Sequence, residues 1–96
     1  MSPSYSLVPV SDLRQAQDAA LLEQLAHDVA GPAGTLNDLM REHLEAARFY
    51  LLGAMRDEYR LELQLAKQLL PAIEDKSMQA RVADFLSSQG PHGNPG

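Results

Sequence analysis

Phe49-Tyr50-Leu51-Leu52-Gly53-Ala54-Met55 is a run of seven residues without a charge. On a helix each residue turns by about 100°, so such a run points in every direction, and a segment apolar all round must be covered on more than one side. Upstream, Leu36, Met40, Leu44, Ala47, Leu51 and Ala54, flanked by Leu39 and Tyr50, form one apolar stripe. Phe49 and Leu52 point away from it and join Tyr59 and Leu63 on a second stripe. Downstream the pattern passes to Leu63, Ala66, Leu69, Leu70 and Ile73, whose mean direction is rotated by about 100°, the turn of one helical residue.

That rotation predicts a one-residue irregularity within 53–57, either a helix break or a π-bulge. Gly53 lowers helix propensity there and Asp57 offers a fresh cap. The other geometry is a single fused helix from 36 to 70, about 52 Å long at 1.5 Å per residue. A rod of that length outreaches a domain of this size and needs a second chain beside it.

The flanking segments are helical as well. Ser11 and Asp12 supply a cap and an acidic first turn, Leu21, Leu22, Leu25, Ala26 and Val29 share a face, and Gly31-Pro32 with Gly34 is a stop. Thr35 with Asp38 has capping-box spacing for the next helix. Leu61-Glu62-Leu63-Gln64-Leu65 alternates like a strand, but Leu, Glu and Gln are strong helix formers and the neighbours are helical. Pro71 ends or kinks the helix near Leu70. Met78, Val82, Phe85 and Leu86 then define a last helix, capped by Asp75 or Ser77 and stopped by Gly90-Pro91. The expected fold is an all-α bundle of three to four helices, about 12–30, 36–52, 57–70 and 76–88, within one domain over 11–89. Residues 1–10 and 90–96, rich in Ser, Pro and Gly, read as flexible tails.

Composition agrees. Sixteen Leu stand against six Val, Ile and Thr together, a helix-forming rather than sheet-forming balance. With 96 residues there is room for one domain only, which excludes an enzyme with a separate cofactor module. The net charge of -5 opposes a nucleic-acid backbone or an anionic membrane as main partner. No cysteine is present, which removes disulfides, thiolate metal sites and a cysteine nucleophile. No apolar run approaches the roughly 18 residues of a membrane span, and the first ten residues lack a secretory pattern, so a cytoplasmic location is expected.

Chemistry-bearing constellations are sparse. A di-iron bundle needs Glu-x-x-His motifs, and here Gln24 and Met40 stand three residues before His27 and His43, so no metal and no cofactor is expected. Glu23 and His27 share the polar face of the first helix and read as a solvated pair. His43 lies at the edge of the first stripe, where a hydrogen-bonded, partly buried imidazole is the ordinary case. Glu58 and Glu62 are like charges at i, i+4, which points to a solvated face shared with Arg56 and Arg60. Arg41, Arg48, Arg56, Arg60 and Lys67 form a basic band, but Asp38, Glu42 and Glu45 fall in the same arc and favour ion pairs over a phosphate track. Gly-x-Ser-x-Gly and phosphate-loop patterns are absent.

The doubled stripe has two readings: the first helix covers one stripe and the last helix the other within one bundle, or another chain covers it, which gives the functional expectation of a non-enzymatic interaction module of adaptor, chaperone-like or regulatory type. Phe49, Leu52, Met55, Tyr59 and Leu63 are its partner-binding or homodimer surface, with a second copy or another protein as partner. The alternative is a helical-bundle ligand binder or enzyme built on His43, Arg48, Glu58 and Arg60.

Overall fold

The computed structural model describes residues 10–89 of the chain, with side chains from residue 13 onward. The expected tails, apart from Val10, lie outside the described residues. Four α-helices follow in order: α1 Val10–Val29, α2 Leu36–Leu52, α3 Arg56–Leu69 and α4 Lys76–Ser88, with a 3-10 turn at Leu70–Ala72 before the last. The fold is a small all-α bundle, with no strand among the described residues, and Leu61–Leu65 is helical.

The first connection is built by close approach. Asn37 Nδ2 donates to the Val29 carbonyl at 3.0 Å, satisfying one of the free acceptors at the end of α1. A Cβ on Gly31 would stand 3.0 Å from the Asn37 Cβ, so glycine there makes room for the clasp. Gly34 takes φ +87. Thr35 Oγ1 accepts from the Asp38 amide at 3.2 Å, while the Asp38 carboxylate accepts from Gly34 N at 3.3 Å, one residue earlier than a standard capping box. Helix α1 starts at Val10, so Ser11 and Asp12 lie inside it rather than capping it.

The irregularity expected within 53–57 is a full break, and its geometry is a Schellman motif. The Met55 amide donates to the Tyr50 carbonyl at 2.9 Å and the Ala54 amide to Leu51 at 3.1 Å. The motif needs a left-handed residue, and that residue is Ala54, with φ 59. Gly53 sits one position early at φ -88, ψ 4. Asp57 is not the cap of α3; Met55 takes that position without a side-chain hydrogen bond, and Asp57 and Glu58 lie in the first turn, where negative charge suits the helix dipole.

At the far end α3 tightens into the 3-10 turn at Pro71. The Leu70 carbonyl accepts from Ile73 N at 3.0 Å and from Gln79 Nε2 at 2.7 Å, so this acceptor is satisfied twice. Asp75 caps α4, accepting from Ser77 N at 3.0 Å and Met78 N at 3.2 Å.

α2 packs against α1 on one side and α3 on the other, with α4 against α1, α3 and the 3-10 turn. One core joins all of them: Leu22, Leu25 and Val29 from α1, Met40, Leu44 and Ala47 from α2, Leu63 and Ala66 from α3, then Ile73, Val82 and Phe85. Ala47 and Ala66 are fully buried, where small side chains let helices approach closely. The first stripe is buried only in its middle, since Leu36, Leu39 and Ala54 at its ends are exposed. Polar contacts tie the helices outside the core. Gln15 donates to the Leu51 carbonyl, Arg48 lies 3.8 Å from Glu23, and Arg81 pairs with Asp28 at 2.9 Å.

Candidate functional site

The reversal at 53–55 sorts the second stripe into two halves. Tyr59 and Leu63 turn inward and belong to the core, at 9% and 8% exposure. Phe49, Leu52 and Met55 stay outside at 67%, 52% and 40%. The five residues therefore do not form one surface on the single chain, because the break reverses the chain between Leu52 and Arg56. What remains free is an apolar tip made by the end of α2 and its loop. Phe49 meets Tyr50 edge to face, with ring centroids 5.6 Å apart. Met55 folds back over Gly53, where a Cβ would lie 3.7 Å from the Met55 side chain.

Beside this tip is an open groove of about 220 Å³, lined by Gln15, Tyr50, Leu51, Ala54, Met55, Arg56 and Tyr59. The Tyr59 hydroxyl donates to Gln89 Oε1 at 3.2 Å. Burial pushes its ionisation well above the ordinary tyrosine range, and the nearby Asp18 carboxylate pushes it the same way. Asp18 is itself a buried carboxylate at 7% exposure, 3.6 Å from Arg14 across one helical turn. It lies five residues before Glu23 in a polar-looking stretch, and only its closeness in angle to Leu22, Leu25 and Val29 hints at burial. A second groove, between α1 and α4, has Leu21, Leu25 and Phe85 for walls and Arg81, Asp84 and Ser88 at its rim.

The residues of the alternative site are dispersed. His43 Nδ1 meets Glu62 Oε1 at 2.7 Å, joining α2 to α3 in a half-buried pair. Arg48 faces Glu23 on α1, and its Nε is buried without a partner. Glu58 and Arg60 are exposed. The shared salt-bridged face expected for Glu58, Glu62, Arg56 and Arg60 does not form among the described residues, because Glu62 is taken by His43 from the neighbouring helix. Neither groove is lined by His43 or Glu58.

Elsewhere several charges are paired. Arg41 reaches Asp38 at 2.8 Å and Glu45 at 2.7 Å, which interrupts the basic band as the spacing implies. The Arg41 guanidinium, with the Gly34 amide, holds the Asp38 carboxyl below its ordinary value. Asp28 is held low in the same way by the Gln24 amide first and Arg81 second. His27 and Glu23 are exposed. Among the described residues no group of three His, Asp or Glu is placed to hold a metal ion, and no helix is long and apolar enough to cross a membrane. Comparison with models of protein families, with curated proteins and with solved structures finds no match for this chain.

Proposed function

We propose that the protein is a non-enzymatic interaction module that self-associates through the apolar tip at the end of α2. One observation carries the reading: Phe49, a large aromatic residue, is two-thirds exposed at the tip of the central helix, with Leu52 and Met55 exposed beside it. Aromatic and flexible apolar side chains are the types that concentrate binding energy at interfaces. A single exposed Leu needs no explanation, but a cluster of three at one reversal of the chain does. An adaptor, chaperone-like or regulatory role fits such a surface. A ligand binder or enzyme on His43, Arg48, Glu58 and Arg60 has less support, since the first two are engaged with other residues and the last two face solvent on another helix.

Light scattering over a wide concentration series tests this, with Phe49→Asp as the variant and circular dichroism as the control on folding. The wild type is expected to pass from monomer to dimer as concentration rises. Phe49→Asp should stay monomeric with unchanged helicity, because the ring lies outside the core. A wild type that remains monomeric at every concentration defeats self-association, and loss of helicity in the variant assigns Phe49 to the fold instead.

A further inference from the structure

We propose that Gly53–Met55 is a hinge, and that two copies of this chain exchange α3 and α4 by joining α2 and α3 of each into one continuous helix. The inference rests on the reading of the 49–55 tip as a self-association surface and names its occupant, a second copy of the chain.

Three features of the loop converge on this. The connection is only three residues long, and its left-handed position is filled by Ala54 rather than glycine, with φ 59. A left-handed alanine is strained, and that strain vanishes when the residue becomes helical. Gly53, at φ -88 and ψ 4, lies in the bridge region on the right-handed side, which other residues also adopt, and gains nothing there from being glycine. Short hinge loops under strain are the setting in which exchange of identical elements between copies occurs.

The second stripe supplies the geometric argument. On a continuous helix, at about 100° per residue, positions 49, 52, 59, 63 and 66 fall within an arc of roughly 100°, so they are one face. In the hairpin that face is cut in two, with Tyr59, Leu63 and Ala66 buried and Phe49 and Leu52 left in solvent. Opening the hinge restores it. The inner half keeps its contacts, now with α1 and α2 of the second copy, and the outer half meets the other long helix near the two-fold axis. The rotation of about 100° between the α2 and α3 core faces is no obstacle, because in the exchanged dimer the two ends of the long helix belong to separate lobes.

The test uses the full chain refolded from denaturant at high protein concentration. Light scattering reads its mass, and spin labels read the distance between α2 and α3. The protein has no cysteine, so Glu42→Cys with Gln64→Cys, both at exposed positions, gives a clean label pair. Doubly labelled chains diluted in unlabelled protein report the distance within one chain. A continuous helix sets the labelled backbone sites about 33 Å apart, against about 15 Å between outward-facing positions on adjacent helices of the hairpin.

The expected result is a dimer with the long distance and a monomer with the short one. Arg56→Pro should abolish the dimer, since proline suits the first position of α3 but breaks the interior of a longer helix. Ala54→Gly should lower the association constant by roughly a hundredfold or more, because glycine relaxes the hairpin and weakens the long helix in both copies. A dimer with the short distance, indifferent to Arg56→Pro, overturns the exchange and leaves face-to-face association standing. A chain that stays monomeric after refolding overturns both.

Discussion

Replacing Ala54 by glycine is expected to stabilise the monomer, a sign opposite to that of glycine in most helical segments. The alanine occupies the left-handed residue of a Schellman motif at φ 59. Its Cβ costs about 1–2 kcal/mol there through the clash with the following carbonyl. Glycine removes that cost and returns about 0.4–1 kcal/mol through the greater freedom of the unfolded chain. The two capping hydrogen bonds, Met55 N to Tyr50 O and Ala54 N to Leu51 O, are backbone to backbone and survive the change. The net gain lies between about 0 and 1.6 kcal/mol and is centred near 0.8 kcal/mol, equivalent to a rise in Tm of roughly 3–6 °C for a domain of this size. Were residue 54 inside a continuous helix, the same substitution would cost about 1 kcal/mol. The assay is urea and thermal unfolding followed by circular dichroism, at protein concentrations low enough to keep the chain monomeric. Gly53→Ala is the companion: its Cβ would meet the Phe49 carbonyl at 3.5 Å, an ordinary contact, so a gain of about 0.4–1 kcal/mol is expected there. A clear loss of stability in Ala54→Gly would refute the break and with it the placement of the exposed tip.

Three further outcomes follow from the packing and the charges. Leu44→Ala, at a position with no exposed surface, should cost about 2–5 kcal/mol in urea unfolding, while Leu36→Ala on the same helix, half exposed, should cost no more than about 1 kcal/mol; equal losses would contradict the arrangement of α2. His43→Ala and Glu62→Gln should couple in a double-mutant cycle by about 0.5 kcal/mol or more, because their 2.7 Å contact joins α2 to α3; additive effects would remove that tie. Asp28 and Asp38 are held below the ordinary value of 3.8 in the fold, so the unfolded chain takes up their protons first. The stability they add is complete above that value and is lost as pH falls through and below it. Asp28→Asn and Asp38→Asn should each show a shallower loss of stability on the acid side, and an unchanged slope would count against the Gln24, Arg81 and Arg41 contacts.

Helical content, element order and most boundaries were legible because they depend on local chemistry. Thr35, Asp75, Gly31 and Pro71 act within a few residues of where they stand, and the stripes of Leu25, Val29, Met40, Leu44, Val82 and Phe85 need only helical spacing to be recognised. The rotation between stripes located the irregularity at 53–57 correctly but not its form. A break and a bulge displace the pattern by the same angle, and the Schellman motif was masked by an alanine where a glycine is usual. Tyr59 and Leu63 were legible as members of an apolar face, but periodicity assigns a residue to a face and not a face to a neighbour, so it could not choose between cover from within the bundle, which the structure shows for these two, and cover by another chain. The His43–Glu62 contact spans nineteen positions along the chain, and only the hairpin brings it about.

Under the exchange proposed above, the energetics of the exposed tip make the hinge, and not the surface alone, the deciding element of association. Full burial of a Phe, Leu or Met side chain is worth about 1.5–3 kcal/mol. Scaled by the exposures of Phe49, Leu52 and Met55, covering the tip yields about 2–5 kcal/mol per chain, or 5–10 kcal/mol for a pair. Association of two bodies costs about 4–15 kcal/mol in lost motion. The two nearly cancel, so face-to-face contact through three side chains is weak. Exchange changes the balance without needing a larger surface. The contacts of α3 and α4 lost in one lobe are regained in the other, and each chain also sheds the 1–2 kcal/mol or so held at Ala54. That relief, counted twice in a dimer, is comparable to the whole margin. In the proposed exchange a single backbone position at the reversal therefore weighs as much as the exposed side chains, and substitutions at residues 54 and 56 should shift association while leaving Phe49, Leu52 and Met55 unchanged.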